Sequence, residues 1–463
     1  MRLARRVTGT DPAIHRLATD GPRQARHHPA RRRVRPVIPP GGPGPPLAEH
    51  RLGLRGPVPG RAALRGRLRD RPATGGPRGG TGRVGSGDPS GRPGLMPARV
   101  LVDLLFFTGR KGGMESYVRE VYSRIEPGAD GIEFVGLASS ELAVAGAPWF
   151  PGEIVDSGIS GENRIAWARG ELFSVGRAAR RQRADLVHCP ANLGPAWSRV
   201  PVVLTVHDLL PFRHPEYVPG AYSRILRTMI RVAAHGARRV LTVSVASADD
   251  IVHYLRVPPA RIDVVPLAGQ DADADSGTAA APLPRLPRRL LAVGNRMPHK
   301  NFPLLLEALA LVPVESRPHL VVTGSHGDDP LAPVVARLGL APWVTLRGWL
   351  SAEELDRLYA ESSLIVFPTL FEGFGLPVLE AMSRGCPVVC SDIPVLHEVA
   401  GEAAVYVAPQ DAEALAATLS GLLDDPAELA RMSERGRDRA RTFSWGRTAR
   451  DTVASLQRVL AER

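Results

Sequence analysis

The 463-residue chain almost lacks lysine: it has two, Lys111 and Lys300, beside 57 arginines. Arginine is used wherever bulk positive charge would serve, so each lysine marks a place where a compact ammonium is wanted over a planar guanidinium. Cysteine is nearly as scarce, and three residues make no disulfide framework. Cys386 and Cys390 flank the strand-like PVV, where they would stand roughly 13 Å apart, too far to bridge. No uninterrupted apolar run reaches the ~18 residues of a membrane-crossing helix. MRLARRVTGT leads into no apolar core of the secretory kind. A cytoplasmic protein is the expectation.

The formal net charge of +12 suggests a nucleic-acid partner until it is mapped along the chain. Residues 1–95 hold 20 Arg against 5 acidic residues, a net of +15, and the remaining 368 residues carry −3. The basicity belongs to the extension. That extension has 15 Pro and 18 Gly and no Phe, Tyr, Trp or Cys, too little apolar surface to offset the entropy of ordering. Residues 1–95 are therefore expected to be disordered, with Met96 as an alternative true start, since MPARVLVDLLFFTG opens at once on a buried strand. A nucleic-acid-binding protein acting through this extension is the remote alternative. Its binding would fall steeply with salt and vanish on removing residues 1–95.

From Met96 short apolar runs alternate with amphipathic helical stretches, the pattern of a parallel sheet covered on both faces. Strands are expected at Val100–Phe107, Asp185–Cys189, Val202–Asp208, Arg239–Ser244 and Ile262–Leu267. Residues 269–287 are small, polar and proline-rich, a linker. The alternation then restarts at Leu290–Gly294, His319–Gly324, Trp343–Gly348, Leu364–Pro368, Cys386–Asp392 and Ala404–Pro409. The expected organisation is an α/β protein with one doubly wound domain at 96–268 and a second at 288–442. A last helix in 443–463 follows. Ligands of such sheets bind beyond the carboxyl ends of the strands.

Four strand-end segments carry the candidate chemistry. Gly109-Arg110-Lys111-Gly112-Gly113 can bring backbone N–H groups and a helix N-terminus against a phosphate or sugar hydroxyl, or be a plain tight turn. It is neither a dinucleotide fingerprint nor a phosphate loop. His207-Asp208 ends VVLTVHD, where the histidine can donate to a substrate or simply cap a turn. In GNRMPHKNF, Arg296 and Lys300 could together neutralise a diphosphate; a solvated surface is the bland alternative. In LFEGFGLPVLEAMSRG, Pro377 suits a first helical turn and Gly385 the residue past the end. Glu372 and Glu380 then bracket a helix N-terminus able to receive an anion. Glu380 could clamp a ribose or merely favour the helix dipole, but the dipole has no use for Glu372.

In this order and at this spacing the motifs resemble the retaining GT-B glycosyltransferases of family four, over residues 96–463. The resemblance rests on Glu372-x7-Glu380, VGNRMPHKN, TVHD, the early Gly-Gly and FSWGRTA. It implies two Rossmann-like domains facing across a cleft, with the final helix returning to the first. It also implies transfer of a hexose, of mannose or glucose type, from a nucleotide sugar to an acceptor hydroxyl with retained configuration. The donor would be held by Gly112, Gly113, Arg296, Lys300, Trp349, Leu350, Glu372, Gly373, Phe374, Gly375, Leu376 and Glu380. His207, Lys300, Arg296 and Glu372 would serve catalysis. Asn295 and His299 stand where several relatives have arginine. No cofactor is implied and no Asp-x-Asp metal signature stands in a matching context; GDP-mannose is the guessed donor. The acceptor would be a sugar or a lipid-linked one. Peripheral membrane contact is suggested by Arg224, Arg227 and Arg231, which share a helical face beside Ile225, Leu226, Met229 and Ile230. A nucleotide-sugar epimerase or a sugar phosphorylase on the same fold is the alternative.

Overall fold

The computed structural model describes residues 97–109, 112–218, 220–269, 284–325 and 327–462. The expectations for residues 1–95, for Lys111 and for most of the linker lie outside them. Two all-parallel sheets form. The first joins β1 (Ala98–Leu104), β2 (Ile132–Ala138), β3 (Gly152–Asp156), β4 (Leu186–Cys189), β5 (Val202–Val206), β6 (Arg239–Thr242) and β7 (Ile262–Val264) in the order β3-β2-β1-β4-β5-β6-β7. The second joins β8 (Leu286–Val293), β9 (His319–Ser325), β10 (Val344–Gly348), β11 (Ser362–Phe367), β12 (Val388–Ser391) and β13 (Ala404–Val407) in the order β10-β9-β8-β11-β12-β13.

The near-continuous apolar runs have their cause here. Every residue of β4, β5, β11 and β12 is buried, as helices cover both faces. β1 is shorter at its C-terminal end than VLVDLLFF suggests. The chain turns as Phe107 N–H donates to Leu104 O (3.1 Å), yet Phe106 and Phe107 stay 1 % exposed, so the apolar run continues past the ladder into a buried turn. β8 begins at Leu286, inside the stretch expected to be linker.

The last helix, Trp445–Ala461, is capped by Ser444, whose side chain accepts from Arg447 N–H. It packs beside β4, β6 and the helix Met114–Tyr122 of the first sheet. Thr448 Oγ1 donates to Pro266 O (2.7 Å) and Ser455 Oγ to Asp263 Oδ2 (2.5 Å). All three cysteines are free and buried. Among the described residues, no helix is long and apolar enough to cross a membrane.

Candidate active site between the two sheets

The loop after β8 is shaped by what holds it. Asn301, in the left-handed region at φ 56°, donates from Nδ2 to Pro368 O (3.1 Å) and Pro409 O (2.8 Å). His299 O accepts from Leu370 N–H (2.7 Å) and Thr369 Oγ1 (3.0 Å). These bonds staple the loop to the chain leaving β11. Gly294, at φ 145°, leaves room for the Lys300 stem, whose Cδ and Cε lie 3.4 Å from where a Cβ would stand. The ammonium is thereby delivered to Glu372, with Nζ–Oε1 at 2.6 Å, and sits 5.2 Å from the Phe367 ring centroid.

The following turn needs its glycines. A Cβ on Gly373 would collide with the carbonyl oxygen of His207, so the loop of the second domain lies directly on the strand end of the first. Ser244 Oγ (2.7 Å) and Ser247 Oγ (3.0 Å) donate to Gly373 O. Gly375, at φ 109°, caps the helix Leu376–Ser383, whose first-turn amides have no partner within the helix. Phe374 is buried edge-on to Phe443, at 6.0 Å. Glu380 Oε2 accepts from Tyr359 Oη (2.9 Å), and the Arg384 guanidinium lies over the Tyr359 ring at 5.3 Å. Burial raises the Glu380 pKa above the usual carboxylate value, partly offset by Tyr359 and Arg384.

Trp349, half exposed after β10, stands 3.6 Å from the Cβ position of Gly112, so those two expected donor residues meet across the cleft. Gly113 precedes the helix Met114–Tyr122, and Glu115 Oε1 accepts from Thr108 N–H (2.6 Å) to close that loop. Leu350 is partly buried, just ahead of the capping box made by Ser351 and Glu354.

Two expected residues are engaged otherwise than the sequence suggests. The Arg296 guanidinium is not a free phosphate cation. It binds Asp329 at 2.7 Å, donates to Thr323 O (2.6 Å) and Gly294 O (3.2 Å), and is 6 % exposed. Its charge is matched inside the second domain. His207 Nε2 lies 2.8 Å from Pro190 O. A carbonyl only accepts, so the proton is on Nε2, and the neutral ring has Nδ1 left as an acceptor, not a donor, toward anything in the cleft. Tyr117 packs edge-on against it at 4.8 Å. Burial lowers the His207 pKa to about 4, against the raising effect of Pro190 O.

Three contributors, Tyr359, Ser244 and Ser247, carry no mark in the motifs, and a fourth, Asp208, ends TVHD. Tyr359 holds Glu380, and Ser244 and Ser247 hold the Gly373 carbonyl. Asp208 is a further carboxyl near the Lys300–Glu372 pair: burial raises its pKa first, then Glu372, while Lys300 lowers it. TVHD contained the signal for Asp208; nothing local marks the others.

Two facing parallel sheets with a cation, a carboxylate and a helix N-terminus at their strand ends define a GT-B glycosyltransferase. The family model described as "Glycosyl transferases group 1" matches residues 279–439, and that described as "Glycosyltransferase Family 4" matches 111–268. The O-antigen chain mannosyltransferase B of Escherichia coli is 35 % identical over 262 residues, 54 % of this chain and 68 % of the relative. The MMP alpha-(1->4)-mannosyltransferase of Mycolicibacterium hassiacum is 35 % identical over 306 residues, 61 % of this chain and 73 % of the relative. The fold matches that of Anabaena Alr3699/HepE in complex with UDP-glucose, with TM-score 0.59 and 18 % identity, over 78 % of this chain and 99 % of that one. The chain belongs to the family-4 glycosyltransferases.

Proposed function

We propose that the protein moves a hexose, of mannose type, from a nucleoside-diphosphate sugar to an acceptor hydroxyl with retained anomeric configuration. The observation that carries this is the Lys300–Glu372 pair at 2.6 Å, set on the turn that opens the helix Leu376–Ser383. A diphosphate lying on the amides of Phe374, Gly375 and Leu376 would meet the helix dipole and the Lys300 ammonium. As the anomeric C–O bond breaks, negative charge grows on the departing diphosphate. Positive groups fixed in advance at the place where charge develops usually contribute most to lowering a barrier, and here they would take the part otherwise given to a metal ion. Glu372 would accept from hydroxyls of the donor sugar. Glu380, oriented by Tyr359, would accept from the ribose, with the base between Trp349 and Leu350.

The two mannosyltransferase relatives favour mannose, and GDP-mannose is the donor we put first. The nucleotide-sugar complex of the structural neighbour supports that class of donor. Three free, buried thiols suit the reducing cytoplasm. The test is incubation of the purified chain with a panel of nucleotide sugars, with and without hydroxyl acceptors, and NMR of the product anomer. Release of nucleoside diphosphate only with acceptor, and a retained anomer, is expected. Acceptor-independent release, or an epimerised sugar, would overturn the reading.

A further inference from the structure

Among the large apolar side chains of the first domain that face solvent, Ile165 is 75 % exposed, Phe173 55 % and Trp197 66 %. Ile165, Arg169 and Phe173 stand four apart on the helix Arg164–Phe173 and so share one stripe. Arg177, on the next helix, donates from Nε to Phe173 O (2.8 Å) and continues it. Ala196 N–H donates to Leu172 O (3.2 Å), and Trp197 O lies 3.0 Å from the Cβ position of Gly176, which seats Trp197 at the junction of the two helices. The Arg199 guanidinium covers the Trp197 ring at 5.5 Å.

The charge on this face is of one sign. Glu171 is the sole acid in the two helices, and it is 1 % exposed, turned inward with Oε1 accepting from Trp167 Nε1–H (2.7 Å). The nearest exposed acid along the chain is Glu162, ahead of the first helix. Apolar and cationic groups thus alternate along a strip with no exposed acid among its described residues, and no single apolar centre exists of the kind a protein interface needs. An anionic bilayer matches both halves of the pattern: phosphates at its surface and an apolar layer just beneath.

We infer that the stripe from Ile165 through Phe173 to Trp197 docks on an anionic lipid surface. The helix Ala221–Gly236, where the sequence pointed, also exposes Ile225, at 58 %, but its Met229 and Ile230 are buried at 7 % and 1 %, and Arg231 is stacked on Phe212 at 4.9 Å.

The test uses the full chain and vesicles of phosphatidylglycerol and phosphatidylcholine, with brominated phosphatidylglycerol as a contact quencher. The basic residues 1–95 can tether the chain to such vesicles by charge alone, but they contain no tryptophan and give no quenching. Quenching of tryptophan fluorescence is expected for the wild type. It should disappear in Trp197→Phe and fall at least threefold in Ile165→Ser/Phe173→Ser, which keeps the reporter. Phosphatidylcholine vesicles alone should give little. An unquenched wild type overturns the proposal, as does quenching that survives Trp197→Phe or is abolished by Arg224→Gln/Arg227→Gln instead. The readout needs no donor or acceptor, so it stands or fails apart from the transferase assignment.

Discussion

The Lys300 ammonium rests 2.6 Å from the Glu372 carboxylate, with both side chains 12 % exposed. One residue follows β8 and the other follows β11, adjacent strands of the same sheet. Parallel pairing brings their C-terminal ends together, and the bonds from His299 O and Asn301 hold the two loops in step.

Lys300→Ala should therefore act on the chemical step. The expected loss is about 10²–10³-fold in kcat, the size found when one preorganised group facing a developing charge is removed. Donor KM should move far less. Steady-state release of nucleoside diphosphate separates the two parameters.

Glu380→Gln should act on donor binding instead. A rise of about tenfold in donor KM, ~1.4 kcal/mol, is expected, with kcat little changed. Tyr359→Phe should shift KM the same way by less, because it removes only the 2.9 Å bond that orients Glu380 Oε2. A drop in kcat with unchanged KM in either variant would contradict the ribose role.

Arg296→Gln separates a structural cation from a catalytic one. It leaves Asp329 without its partner in a pair that is 6 % and 12 % exposed. Breaking such a pair costs about 3–5 kcal/mol of stability, read by urea unfolding. Transfer by the folded variant should stay near wild type. A hundredfold loss of kcat without loss of stability would restore Arg296 to the phosphate site.

Stability should fall in acid through buried histidines, His207 and His299 of the site among them. Burial lowers both His207 and His299 to about 4 from an ordinary 6.5, with Lys300 adding to the effect on His299. Between those values the unfolded chain takes up protons that the folded one refuses. The stabilisation is thus present above pH 6.5 and lost as pH falls toward 4. Thermal melts from pH 7 to pH 4 should show this slope, and His299→Gln should flatten it.

Much of this was legible in the chain. Alternating apolar runs give two parallel sheets, and Gly375, Pro377 and Gly385 mark both ends of the helix that carries Glu380. The scarcity of lysine singled out Lys300. What stayed hidden depends on which strands become neighbours. Arg296 meets Asp329, 33 residues on, because β9 pairs with β8. Tyr359 carries no local mark of its bond to Glu380, since its place on the helix Ala352–Glu361 reads simply as core. His207 reads as a donor toward the cleft until its Nε2–H is seen to be donated to Pro190 O.

The Gly373 carbonyl is gripped by two serines of the opposite domain, and Glu398 binds the amides of Val245 (2.7 Å) and Ala246 (2.7 Å) across the same seam. The turn that carries Glu372 is therefore shaped in part by a lobe it does not belong to. If the lobes swing apart, those four bonds break together and the turn loses its mould. Assembly of the Glu372 turn and approach of the two halves are then one event, and the second half alone would hold that turn unfinished.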